Sequence, residues 1–80
     1  MRIPRDVSGE DLIIALKKYG YAQTRQTGSH VRLTTQENGE HHVTVPLHNP
    51  LKLGTLSGVL GAVAEHLQLP RNDVIRRLFG

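Results

Sequence analysis

The stretch "RQTGSHVR", residues 25–32, sets an imidazole, His30, directly after a Gly28–Ser29 step, with Arg25 and Arg32 on either side. Glycine lets the backbone turn tightly and serine supplies a small donor and acceptor, so His30 would project from the start of an extended segment. Histidine titrates near neutral pH and can both accept and donate protons, while guanidinium groups close by can hold a phosphate. These are the ingredients of RNA cleavage without a metal. The ribose 2′-hydroxyl attacks its own phosphodiester, and the protein has only to move protons and stabilise negative charge. Spacing alone favours a plainer reading, a polar hairpin turn with a solvated histidine, because a three-residue pattern is weak evidence.

The chain has four further histidines. His41 and His42 are neighbours on an extended segment, so their side chains leave opposite faces and cannot chelate one ion together. A zinc site from His30, His42 and His48 would need a fourth ligand, yet cysteine is absent and no carboxylate has motif spacing. No metal and no cofactor are therefore expected. His66 falls off the apolar stripe of a helix and reads as solvated. In "LHNPLKLGTL", Lys52 precedes Gly54 and Thr55 at the start of a helix, where free N–H groups and the helix dipole favour anions. A simple N-cap by Thr55 with a solvated lysine accounts for that stretch equally well. No glycine-rich phosphate loop, Ser-His-Asp set or carboxylate pair is legible.

The elements that must position these residues come from periodicity. "SGEDLIIALKKYG" predicts a helix: Ser8 as N-cap, Asp11 in capping-box position, Glu10 at the positive helix end, and Gly20 as a left-handed stop. Leu12, Ala15, Leu16 and Tyr19 form its buried stripe, and Ile14 points away from it. "YAQTRQ", "HVRLTT" and "HHVTVPL" then read as three strands of an antiparallel meander, joined by "TGS" and "ENG". Val31, Leu33, Val43, Val45 and Leu47 would face the core, and His30, Arg32, Thr34, His42, Thr44 and Pro46 would lie on the polar side. Pro46 marks the third strand as an edge or as ending there.

A second helix is expected from Thr55, with Leu56, Val59, Leu60, Val63 and Leu67 as its stripe. Its other side carries Gly58 and Gly61, each costing about 1 kcal/mol relative to alanine, which close approach by another backbone would compensate. Beyond Pro70, with Asn72 as a cap, Val74, Ile75, Leu78 and Phe79 predict a short docking helix. The expected fold class is α+β, an α-β-β-β-α order with both helices on one face of the sheet and a short C-terminal helix.

Eighty residues with 38% hydrophobic content allow one domain and one modest core, with no separate cofactor domain. The domain spans residues 1–80, with a core of about 8–69 and an extension over 70–79. Without cysteine, packing alone or a partner must hold it together. No apolar run reaches membrane-spanning length and no secretory signal is visible, so a cytoplasmic protein without membrane association is expected. Ten Lys and Arg against seven Asp and Glu give a net charge of +3 and a pI near 9.8, a balance that suits a phosphate-bearing partner. One Phe, two Tyr and no Trp leave few stacking platforms, so backbone charge and shape should dominate any nucleic-acid contact.

Taken together, the capped helix ending in Lys-Lys-x-Gly, "RQTGSHVRL", "VTVPLH" and "KLGTLSGVL" resemble the HicA (YcfA-like) toxins of bacterial and archaeal toxin–antitoxin modules. The similarity runs from about Ser8 to Leu69, in the family's motif order, with the Gly-Ser-His step and the Gly-Thr-Leu helix start its most specific parts. The resemblance implies a fold like that of double-stranded-RNA-binding domains and ribosome-independent cleavage of mRNA without a metal. It places the catalytic histidine at His30. It also implies a HicB-type antitoxin that masks the site, with oligomers formed only through that complex.

The leading expectation is a metal-independent endoribonuclease toxin, an mRNA interferase. His30 would act as general base or acid, with Arg25, Gly28, Ser29, Arg32 and Lys52 as RNA contacts. Lys17 and Lys18 read better as a solvated helix end. The second proton-transfer group stays open among His42, His48, Ser29 and water. A non-catalytic RNA-binding module with an idle His30 is the alternative. A purely structural interaction domain, using Ile14 and the Gly58/Gly61 face, is the third.

Overall fold

In the computed structural model, which describes residues 3–80, the order is α1 (Gly9–Leu16), a 3₁₀ turn (Lys17–Tyr19), β1 (Ala22–Thr27), β2 (His30–Thr35), β3 (His41–Pro46), α2 (Leu53–Leu67) and α3 (Arg71–Phe79). The α+β order expected from periodicity is therefore the observed one. The strands form one antiparallel sheet in the order β1-β2-β3. Val31, Leu33, Val43 and Val45 line its inner face with Leu12, Leu16, Leu56, Leu60 and Val63 from the helices, all buried. His30, Arg32 and Thr44 are exposed on the other face, so the helices cover one side only.

Local chemistry explains the helix ends. The Ser8 hydroxyl accepts from the Asp11 N–H at 3.0 Å, and the Asp11 carboxylate accepts from the Ser8 N–H at 3.1 Å, a complete capping box. The helical path then tightens and stops at Gly20, whose φ of +80° a side chain would resist. α2 begins at Leu53, two residues before the expected Thr55, because Lys52 already takes the extended N-cap conformation (φ −63°, ψ 140°). α3 follows Pro70 directly, which leaves Asn72 inside the first turn instead of capping it.

Two expectations about close packing are corrected. Gly58 and Gly61 have nothing within 4 Å of where a β-carbon would stand, so among the described residues no other backbone approaches them. The glycine that permits close approach is Gly9. A β-carbon there would lie 2.1 Å from the Pro46 carbonyl oxygen and 3.0 Å from the Leu47 Cα. That contact, with the Gly9 N–H donating to the His48 carbonyl at 2.9 Å, locks the start of α1 onto the end of β3. Pro46, expected on the polar side, is accordingly buried. β3 is an edge strand and ends at Pro46, both as read from the sequence.

α3 belongs to the core: Val74, Ile75 and Leu78 are buried among the residues of the first two helices. Lys18 helps to dock it, since its ammonium donates to the Arg77 carbonyl at 3.0 Å and the Leu78 carbonyl at 3.4 Å. A cation at the carbonyl end of a helix is favoured by the helix dipole. Arg77 reciprocates, its guanidinium carbon 5.3 Å from the centroid of the Tyr19 ring. Lys18 is thus a structural clamp, not a solvated helix end.

Candidate active site

β1 and β2 meet through a two-residue loop, Gly28–Ser29, in which Gly28 adopts φ +57°. Glycine at the first loop position with positive φ is what a tight hairpin of this twist demands. The Ser29 carbonyl accepts from the Leu47 N–H at 2.7 Å, tying the turn to the chain just beyond β3. His30 opens β2 from this anchored corner, facing Thr27 on one side and Pro46 on the other.

Arg25 reaches the same face through the tight turn, which pairs Thr27 with His30, Gln26 with Val31 and Arg25 with Arg32, so Arg25 lies beside Arg32 on the outer face. Beyond it the register shifts: Gln23 pairs with Leu33, so Thr24 is an extra residue in the ladder, a bulge. Thr24 is held in place by a 2.9 Å hydrogen bond between its hydroxyl and that of Thr34.

Arg25, Thr27, His30, Arg32 and Thr44 together line an open depression of about 200 Å³. Among the described residues no hydrogen bond, ion pair or ring contact engages the side chain of Arg25, His30 or Arg32. Two guanidiniums without carboxylate partners beside an unengaged imidazole form a site whose charge is uncompensated by the protein itself. It suits an anion with a proton to exchange nearby. Gly28 and Ser29 form the rim of this corner. Lys52 is not among the lining residues; it is the exposed N-cap of α2.

His42 shares the outer face but is fully engaged. Its Nδ1 lies 2.7 Å from the Thr34 hydroxyl and its Nε2 3.0 Å from the Glu40 carboxylate. It pairs with Thr34, four residues along β2 from His30, about 13 Å at the rise of a strand. His42 therefore cannot share proton transfer with His30 at one phosphodiester. Ser29, adjacent to His30, and His48, exposed beyond the end of β3, lie at the right end of the sheet.

His66 departs from expectation. Its Nε2–H donates to the Glu37 and Gly39 carbonyls at 2.8 and 3.0 Å, and its ring stacks on His41 with centroids 4.3 Å apart at 10°. The Asn38 amide donates to the His66 carbonyl at 2.8 Å, closing a latch between α2 and the β2–β3 turn. The Tyr21 hydroxyl hydrogen-bonds His41 Nδ1 at 2.8 Å from the inner side. Burial first, then the charge of Glu37, pushes the Tyr21 hydroxyl up to about 12, so it is the donor in that bond. Burial, then His66, then His42, hold the His41 pKa below its ordinary 6.5. This cluster escaped the sequence because its members, at positions 21, 41 and 66, lie far apart along the chain. The only signal was that Tyr21 directly precedes β1 and His41 begins β3, each next to a turn.

Among the described residues no three His, Asp or Glu side chains gather as metal ligands, and no helix is long and apolar enough to cross a membrane. Fold and site define a small basic α+β domain carrying one unengaged histidine, His30, on an open sheet face. The family model described as "HicA toxin of bacterial toxin-antitoxin" matches residues 9–64, and the chain belongs to the HicA toxin family. It is accordingly a toxin of a toxin–antitoxin system, whose partner is an antitoxin. Comparison with curated proteins and with solved structures gave no match.

Proposed function

We propose that this toxin is a metal-independent endoribonuclease acting on mRNA in the cytoplasm, with His30 as its catalytic residue, neutralised by a HicB-type antitoxin. The observation that carries the proposal is the unengaged His30 ring set in one depression with Arg25 and Arg32. Arg25 and Arg32 hold the scissile phosphate and oppose the charge that builds on its oxygens as the 2′-hydroxyl attacks. His30 accepts the 2′-hydroxyl proton or protonates the departing 5′-oxygen. Gly28 and Ser29 leave the approach open, and the Ser29 hydroxyl is a second polar group within the turn. Lys52 is a more distant phosphate contact, if RNA extends that far. The antitoxin acts by covering the open face, which nothing among the described residues shields.

The test uses purified protein and a defined single-stranded RNA, with and without a chelator. Cleavage leaving a 2′,3′-cyclic phosphate, abolished by His30→Ala and by a 2′-deoxy substitution at the cut, is the expected result. Equal cleavage by wild type and His30→Ala would overturn the mechanism. Cleavage lost in chelator would instead point to a metal. The single imidazole in the depression favours a second reading, a non-catalytic RNA-binding module, which wins if RNA is bound but never cut.

A further inference from the structure

Three rows of side chains cross the open face of the sheet, one pleat repeat apart. Thr27 and His30 make the first row, Arg25, Arg32 and Thr44 the second, and Thr24, Thr34 and His42 the third. Rows two residues apart on a strand are separated by about 6.6 Å, comparable to the spacing of successive nucleotides on an extended single strand. The second row carries two unpaired cations. The third carries none, and its margin holds the Glu40 carboxylate. Phosphate belongs over the second row and is repelled from the third.

His42 is the ring of that third row. Both of its nitrogens are taken, Nδ1 by Thr34 and Nε2 by Glu40, and Thr34 is in turn bonded to Thr24. The side chain keeps 36% of its surface exposed. With both nitrogens occupied, what it can offer a ligand is its flat face, held at a fixed tilt. Tyr19 and Tyr21 are buried on the helix side, leaving His30 and His42 as the flat rings of the open face. Unpaired bases in RNA are recognised by stacking on such rings, histidine included.

We infer that His42 is a base-stacking residue that seats the nucleotide next to the scissile phosphate, and so helps to choose which single-stranded RNA is cut. This rests on the endoribonuclease reading for its register, while the stacking itself can be measured apart from cleavage.

The experiment places His42 substitutions in His30→Ala protein, so that RNA stays intact, and follows a labelled oligoribonucleotide by fluorescence anisotropy. His42→Ala is expected to weaken binding roughly 5- to 150-fold, the size of one base–aromatic stack. His42→Phe, which keeps a flat ring and discards both hydrogen bonds, is expected to bind within about threefold of the parent, since the stack survives. A single abasic nucleotide walked along the RNA should reproduce the loss at one position, and should cost nothing further in His42→Ala. If His42→Phe is as weak as His42→Ala, or the abasic penalty is the same in both proteins, the inference is wrong. RNA cut by the wild type with a flat abasic profile sinks the stacking role and leaves the nuclease reading standing. An abasic effect on binding without any cleavage does the reverse, and no RNA binding at all overturns both.

Discussion

The same substitution at two glycines should move stability in opposite directions. In Gly9→Ala the new methyl would stand 2.1 Å from the Pro46 carbonyl oxygen, where β-carbons essentially never come closer than 3.0 Å. The obstacle is backbone, so α1 and the end of β3 must part by about an ångström, as overpacked sites do. That parting stretches the 2.9 Å bond from the Gly9 N–H to the His48 carbonyl out of range. Overpacking of about 1–3 kcal/mol and a lost hydrogen bond of about 1 kcal/mol give a cost of roughly 2–4 kcal/mol. For a domain of this size each kcal/mol is worth about 4–8 °C, so Tm should fall by about 10 °C or more.

Gly58→Ala places its methyl in open space in mid-helix and should gain close to 1 kcal/mol, raising Tm by about 4–8 °C. Far-UV circular dichroism melts on the His30→Ala background, which spares the expression host, read both. A Gly9→Ala protein that melts with its parent would show that the α1–β3 contact is soft and the reasoning wrong. A Gly58→Ala protein that melts lower would show that the α2 face is not open.

Arg25→Ala should lower RNA cleavage at least tenfold in a cleavage assay, about 1.4 kcal/mol of lost transition-state stabilisation, while the melt shifts by only a few degrees. Deleting Thr24 should remove the bulge yet leave Arg25 opposite Arg32, so cleavage should survive it. The His41 pKa lies below its ordinary 6.5, so the unfolded chain takes up a proton there before the folded one does. Its share of stability is therefore complete above pH 6.5 and lost as pH falls through the folded value, and urea titrations from pH 8 to 5 should show a shallower fall for His41→Phe than for wild type. Removal of residues 70–80 exposes the sites of Val74, Ile75 and Leu78, each worth about 1.5–3 kcal/mol, against a total stability of about 4–12 kcal/mol. The truncated chain should show no cooperative melt, and retention of one would place α3 outside the core.

What the sequence revealed follows from how local the signal was. Ser8 and Asp11, Gly20, and the alternation of Val31 and Leu33 against His30 and Arg32 are short-range patterns, and all appear in the structure as read. His30 was legible for the same reason: turn, histidine and arginine sit within eight residues. Arg25 was singled out as near in sequence, and the two-residue turn that sets it opposite Arg32 is equally local, whereas the bulge at Thr24 leaves no periodic trace. Gly9 and Gly58 look alike in sequence, and only the path of β3 past α1 tells which of them admits no side chain. Lys18 and His66 read as solvated because their partners, the carbonyls of residues 77 and 78 and of residues 37 and 39, carry no side-chain signature.

The place of α3 in the core also bears on synthesis. A ribosome has built His30, Arg25 and Arg32 long before it reaches Val74, Ile75 and Leu78, yet those three complete the packing behind the sheet. Domains fold as units as they emerge. A nascent or stalled chain that already carries the whole corner would have no stable sheet to hold it. A chain that stops short of α3 therefore carries the corner without the packing that supports it.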